Sequence, residues 1–339
     1  MHRSEITIDL GALRRNARRL REVLGGSELW AVVKADGYGH GAADVAGAVL
    51  DEGARVLCVA TAGEALDLRR EFPAVRILVM GPTSGRDRVA AREARIDVVV
   101  SDGEIPEGLS VHLKLDTGMG RWGLTELPEL APNVVGLMTH LATADSDAAF
   151  AREQLRRFEE ATAQHHGLKR HAANSAAALR LPESHLNAAR CGIALYGLSP
   201  FGGNPGDDGL EPVLRWESRL AQVKQLSPGE GTGYGRRFTA ERPTWIGIVP
   251  VGYADGFRRD MTGTDVVVEG ERRRVVGTIS MDSLAVELPG ELPVETPVTL
   301  VGDGVLAEEH AAVAGTINYE IVCGVNSRSD RARRTVLDA

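Results

Sequence analysis

The 339-residue chain has few cysteines, no surplus of positive charge and no long apolar run. Cys58, Cys191 and Cys323 are far apart, odd in number and form no Cys-x-x-Cys pair. Such a set argues against a disulfide framework or a zinc site, and for a reducing compartment. Acidic residues exceed basic ones, 47 against 39, giving a formal net charge of -8. That balance disfavours a general nucleic-acid surface and fits a protein acting on small molecules. The first residues, Met-His-Arg-Ser-Glu, lack an apolar signal core, and no apolar run is long enough to span a membrane. A cytoplasmic location is therefore expected, with no membrane partner and no metal. There is no internal repeat and no low-complexity segment. What remains is ordinary globular composition, 43% hydrophobic and 25% charged, with length for one large or two medium domains.

The stretch Ala31-Val32-Val33-Lys34-Ala35-Asp36-Gly37-Tyr38-Gly39-His40-Gly41 begins as a buried strand and ends in a glycine-rich turn. Lys34 stands at the junction. A lysine partly withdrawn from water loses pKa, and a neutral amine can form a Schiff base with a carbonyl. The plainer reading is a strand-capping lysine with its ammonium in solvent. Further along, strand-like runs at Val56 to Ala60, Arg76 to Met80, Asp97 to Val100, Val111 to Leu115, Val134 to Met138, Arg170 to Ala173 and Ala188 to Ala194 mostly alternate with helical patterns. About eight such units predict a (β/α)8 barrel. A Gly/Pro/Asp-rich loop over residues 201–209 reads as a linker. Beyond it the helical patterns nearly vanish, and short β-type runs from Ser218 to Gln225 through Val298 to Val301 predict a mainly β domain. The expected division is a barrel over 1–212 and a β-domain over 213–339.

Barrel chemistry lies at the C-terminal ends of the strands. Lys34 and Tyr38 fall there, as do Lys114 and Asp116, Thr139 and His140, Asn174 and Ser175, and Arg190 with Gly192. The loops after the last two strands are the usual phosphate site of such barrels, and Ser175 with amides expected to be free around Gly192 and Ile193 supplies donors there. A Schiff-base lysine and a phosphate cradle suit pyridoxal 5′-phosphate. They equally suit an aldolase acting on a phosphorylated sugar.

The motifs themselves narrow the choice. Val33-Lys34-Ala35-Asp36-Gly37-Tyr38-Gly39-His40-Gly41 closely resembles the cofactor-lysine motif of the alanine racemases. The resemblance continues through Lys114-Leu115-Asp116-Thr117-Gly118-Met119-Gly120-Arg121, Thr139-His140-Leu141-Ala142-Thr143-Ala144-Asp145 and Arg190-Cys191-Gly192-Ile193-Ala194-Leu195-Tyr196-Gly197. In the second domain it includes Gly252-Tyr253-Ala254-Asp255-Gly256, Ser280-Met281-Asp282 and Thr316-Ile317-Asn318-Tyr319-Glu320, so it spans nearly the whole chain in order.

The resemblance implies a pyridoxal-phosphate-dependent isomerase that interconverts L- and D-alanine, the D-enantiomer serving peptidoglycan synthesis. Lys34 would carry the cofactor as a Schiff base. Tyr253 would be the second base, contributed by the partner subunit of a homodimer. Tyr38, Ser175, Gly192, Ile193 and Tyr319 would hold the phosphate, and Arg190 the pyridine nitrogen. Arg121 and the Met281 amide would meet the substrate carboxylate, with Asp145 near the mouth and Asn174 and Asp282 in support. His140 and His171 match histidines that orient the tyrosine and the arginine. Lys114 matches a lysine often carried as a carbamate. The physical logic agrees, since racemisation needs proton transfer on both faces of Cα. A protonated arginine donates to the ring nitrogen without protonating it, which leaves a weaker electron sink and limits side reactions. Gly63, Thr278 and Ser280 depart from residues common at the family's outer channel. Rival readings are a serine-preferring or broad-specificity racemase, a related barrel decarboxylase, or a non-catalytic pyridoxal-phosphate carrier.

Overall fold

Runs of Val, Ile and Leu four or five residues long, closed by turns, are the building blocks of the first half of the chain. The computed structural model describes residues 2–338. Its contacts divide into two units, one formed by Leu13–Phe201 with Asp208–Leu210, the other by the N-terminal residues through Ala12, Gly202–Asp207 and the chain from Glu211 onward. After an N-terminal strand, β1 (Ser4–Asp9), eight strands form the first unit's sheet: β2 (Glu28–Val32), β3 (Val56–Val59), β4 (Arg76–Val79), β5 (Asp97–Val100), β6 (Val111–Lys114), β7 (Val134–Met138), β8 (Lys169–His171) and β9 (Ala188–Cys191). All are parallel, in the order β8-β7-β6-β5-β4-β3-β2-β9. The two ends meet, because Asn187 N–H donates to the Arg170 carbonyl (3.0 Å) and Arg190 N–H to that of Ala173 (2.9 Å). The expected eight-stranded barrel is present.

Local chemistry starts several of the intervening helices. Thr61 and Ser84 each form a reciprocal cap with the acidic residue three positions on, Glu64 and Asp87. Asp147 accepts from the Ala149 and Phe150 amides to open the 15-residue helix Ala148–Thr162. Inside the barrel, Trp30 of β2 packs against the rings of His171 (4.4 Å) and His112 (5.6 Å), so part of the core is polar.

The second unit is built on one nine-stranded sheet. Its strands are β10 (Leu214–Arg219), β11 (Gln222–Leu226), β14 (Thr244–Val249), β15 (Asp265–Val268), β16 (Glu271–Val276), β17 (Leu284–Leu288), β18 (Pro297–Val301), β19 (Ala332–Leu337) and the N-terminal β1; the small pair β12 (Gly231–Thr232) and β13 (Phe238–Thr239) stands apart. Leu226, Ala240, Ile246, Val276 and Ala285 form an apolar core there.

Four features differ from the sequence reading. Residues through Ala12 group with this unit and not with the barrel, because β1 pairs with β10 and β19 and buries Ile6 and Ile8. The single run expected from Ser218 to Gln225 is two strands, since β10 pairs with β18 while β11 pairs with β14. Helices at Ala307–Ala314 and Asn318–Gly324 stand where helical patterns were expected to fade, and the second carries Tyr319. The sheet also gains β19, which that reading did not place.

Candidate active site

Lys34 follows directly on β2, where Val33 N–H still pairs with the Cys58 carbonyl at 2.9 Å. The chain then makes a left-handed turn, with φ of 51° at Ala35, 51° at Asp36, 61° at Gly37 and 55° at Tyr38. Left-handed backbone costs an L-residue about 1–2 kcal/mol, so the non-glycines Ala35, Asp36 and Tyr38 need outside support. They have it: Glu64 Oε1 accepts from Ala35 N–H (2.7 Å) and Asp36 Oδ1 from Ala42 N–H (2.8 Å). The same Glu64 caps its own helix through Oε2. The sequence reading missed this clamp, although the Thr-x-x-Glu cap was its visible signal.

The turn delivers Tyr38 into the barrel mouth, buried and packed on Tyr196 at 4.9 Å, whose hydroxyl donates to the Val32 carbonyl. A Cβ at position 192 would lie 2.4 Å from the Tyr38 Oη, so only glycine leaves room for that hydroxyl. Ser175 Oγ lies on the other side and accepts from Gly192 N–H (3.0 Å) and Ala194 N–H (3.4 Å). The Gly192 amide is thus already engaged, where the sequence reading had it free. Asn174 caps the short helix carrying Ser175, accepting from Ala177 N–H at 3.0 Å. Tyr38, Ser175, Gly192 and Ile193 therefore share one corner.

Arg190 is buried, yet among the described residues its guanidinium meets only neutral acceptors. Its Nη1 donates to His171 Nδ1 (2.8 Å) and the His171 carbonyl (2.9 Å), and its Nη2 to the carbonyls of Thr139 (2.8 Å) and Ala172 (3.1 Å), with His140 Nδ1 at 3.3 Å. Burial pulls its pKa down to about 10, which leaves it cationic at neutral pH. Burial and then the charges of Arg190, Lys114, Arg121 and Lys34 depress His140 to about 3, so this imidazole is neutral and cations converge around it. Lys114 is lowered to about 8, chiefly by burial and then by Arg121 and Arg190.

Asp116 does not pair with Lys114. Its Oδ1 accepts from the amides of Gly118 (3.0 Å), Met119 (2.8 Å) and Gly120 (3.1 Å), and so shapes the turn leading to Arg121. Arg121 and Lys114 both face the exposed Trp122 ring, at 5.4 and 5.9 Å. Asp145 is exposed on the loop after β7 and accepts from the Ser146 hydroxyl.

In the second unit, Tyr253 stands 42% exposed on a firmly held loop. Its N–H donates to the Ser280 carbonyl and that of Ala254 to the Met281 carbonyl, both at 3.0 Å. The Asp255 carboxylate, 1% exposed, accepts from Gly252 N–H and pairs with Arg331 at 2.8 Å. Arg331 reaches Asp282 as well, at 2.9 Å. Met281 is exposed beside it, and Tyr319 is half-buried.

Comparison with known proteins agrees with this arrangement. Residues 8–200 match the family model "Alanine racemase, N-terminal domain" and residues 213–333 match "Alanine racemase, C-terminal domain". Alanine racemases of Symbiobacterium thermophilum and Streptomyces coelicolor are 40% and 41% identical, covering 96% and 97% of this chain and 95% of each relative. Among solved structures, the Streptomyces coelicolor alanine racemase superposes with a TM-score of 0.90 at 39% identity, over 99% of this chain and 98% of that one. The biosynthetic alanine racemase of Pseudomonas aeruginosa gives 0.93 at 34% identity over the full length of both. With both of its halves matched, and relatives aligned almost end to end, this chain belongs to the alanine racemase family.

Proposed function

We propose that the protein interconverts L- and D-alanine with pyridoxal 5′-phosphate as cofactor. The observation that carries the reading is the barrel mouth, where Lys34, the Tyr38–Ser175–Gly192 corner and a buried guanidinium that finds no carboxylate partner among the described residues stand on adjoining strand ends. These residues fit the cofactor. The corner offers hydroxyls and amides to a phosphate dianion, and Arg190 offers N–H to a ring nitrogen. Bound there, the cofactor supplies an aldehyde to condense with an amine and a ring that withdraws electron density from Cα.

The chain's own residues do the rest. The Lys34 amine holds the cofactor and moves a proton at one face of Cα. Tyr253 moves the proton at the other face, supplied by the partner subunit of a homodimer. Free tyrosine has a pKa of about 10, so it needs nearby positive charge to act as a base. Arg121 and the Met281 amide hold the substrate carboxylate, and Tyr319 adds a hydroxyl for the phosphate. Arg190 stays a cation and donates only, which keeps electron withdrawal moderate and favours return of the proton over loss of other groups. His171 orients Arg190, and His140, kept neutral, adds no further charge to the site. Asp145 sits by the mouth, while Asn174 and Asp282 hold the loops. The folded chain acts in the cytoplasm in this reading.

Reduction of the loaded protein with borohydride tests the assignment, since it should fix the cofactor to Lys34. A labelled peptide from any other lysine would overturn it.

A further inference from the structure

His112 of β6 and His171 of β8 lie on strands separated by β7, yet His112 Nδ1 and His171 Nε2 are 2.9 Å apart. The gap is Gly136 of β7, where a Cβ would stand 2.2 Å from His112 Nδ1. A glycine in mid-strand often marks such a close approach. The chain of contacts continues at both ends. His171 Nδ1 faces Arg190 Nη1 at 2.8 Å, and His112 Nε2 faces Asp97 Oδ2 at 3.5 Å and Arg76 Nη2 at 3.3 Å. Arg76 Nε in turn holds Asp97 Oδ2 at 2.5 Å. Arg76 and Asp97 open β4 and β5, so this end of the chain lies at the strands' N-terminal ends, away from Lys34.

Proton counting gives the chain a direction. Both imidazoles are fully buried and their pKa values are lowered, chiefly by burial, so each is neutral with one N–H. One of the two hydrogens must lie between the rings. The other occupies one outer nitrogen. If it sat on His171 Nδ1 it would meet the Arg190 N–H, two donors at 2.8 Å. It therefore sits on His112 Nε2, where the facing donor, Arg76 Nη2, is farther off at 3.3 Å and the Asp97 carboxylate, the ion-pair partner of Arg76, lies at 3.5 Å.

We propose that Asp97 and His112 are positioning residues for Arg190: the Asp97 carboxylate and the Arg190 guanidinium, at opposite ends, together set the direction of an Asp97–His112–His171–Arg190 chain threaded past Gly136, ionic at its first contact and hydrogen-bonded beyond it. The chain presents a lone pair to the guanidinium and fixes its orientation. Its direction stands on the barrel alone. Its consequence for the cofactor rests on the reading of Arg190 given above.

The test is ¹⁵N NMR of histidine-labelled, cofactor-free protein, with His112→Gln and His171→Gln used for assignment. The wild type should show both rings protonated at Nε2. Asp97→Ala leaves the Arg76 donor beside His112 Nε2, so both outer nitrogens then face cations and the single tautomer should give way to a mixture of Nε2–H and Nδ1–H forms in both rings. Asp97→Asn keeps an acceptor oxygen and should retain the wild-type pattern. Gly136→Ala should uncouple the two rings, so that Asp97→Ala in that background no longer alters His171. A wild-type His171 protonated at Nδ1, or tautomers unmoved by Asp97→Ala, would overturn the proposal. Titration of the same variants with pyridoxal 5′-phosphate then reads the consequence: Asp97→Ala should bind about tenfold more weakly, the loss of roughly one charge-assisted hydrogen bond. A tautomer change with unchanged affinity would keep the chain and overturn the role of Arg190 toward the cofactor.

Discussion

Lys114 offers a prediction whose size follows from its surroundings. It is buried, its pKa is lowered to about 8 by burial and then by Arg121 and Arg190, and Asp116 is turned away into the backbone. At pH 7 an amine with that pKa is neutral in about one molecule in eleven, against about one in three thousand at the usual lysine value. Carbon dioxide adds to the neutral form: nitrogen attacks the carbon, a C–O π pair moves to oxygen, and the nitrogen loses a proton. The product exchanges a cation for an anion between cations, and can accept charge-assisted hydrogen bonds from Arg121. Protein equilibrated with ¹³C-bicarbonate should therefore show a carbamate ¹³C resonance near neutral pH. At fixed dissolved carbon dioxide, it should grow as pH rises through 8. Lys114→Ala should remove it and reduce activity, and added acetate should partly restore turnover by filling the vacancy. Absence of the resonance in the wild type, or its survival in Lys114→Ala, would refute this reasoning.

Three further outcomes are expected. Tyr253→Phe should keep cofactor binding and lower racemisation in both directions by roughly 10²–10⁴-fold, with α-proton exchange lost mainly for L-alanine; equal loss from both enantiomers would contradict the assignment of opposite faces. Gly192→Ala places a Cβ 2.4 Å from the Tyr38 hydroxyl and should weaken cofactor affinity roughly 5- to 150-fold, the equivalent of about 1–3 kcal/mol of overpacking; unchanged affinity on titration would exclude that corner. Asp255→Ala strips a buried carboxylate from Arg331 and the Gly252 amide and should destabilise the second unit by about 2–4 kcal/mol in chemical denaturation, below the full buried-pair value because Arg331 is partly exposed. A change under about 0.5 kcal/mol would show that the Tyr253 loop is held by other means.

Much of the barrel was readable because most of its strands are written as short apolar runs, several of them closed by a polar residue at the end that carries chemistry. Lys34, Lys114, His140, Ser175 and Arg190 all stand on or just beyond such ends. What depends on distant pairing was not readable. β1 has the alternation of any half-buried strand, and nothing in Ser4–Asp9 says that it joins a sheet with Leu214–Arg219 and Ala332–Leu337. The run around Leu220 and Ala221 looks unbroken until its two halves take different neighbours. The left-handed turn after Lys34 exceeds what its glycines announce, because Ala35, Asp36 and Tyr38 adopt it under restraint from Glu64 and the Ala42 amide. The His112–His171 contact was missed for a similar reason. Its one local mark is Gly136 within Val134–Met138, a small residue whose meaning appears only when the barrel closes.

The central claim is racemisation, and enantiomers of alanine have equal free energies. The most direct measurement incubates the protein, loaded with pyridoxal 5′-phosphate, separately with L-alanine and D-alanine and follows each by chiral chromatography. Both reactions should converge on an equal mixture with total alanine conserved, and Lys34→Ala should abolish the change. Loss of alanine with release of carbon dioxide, or enantiomers that stay unchanged while the cofactor is bound, would contradict the account.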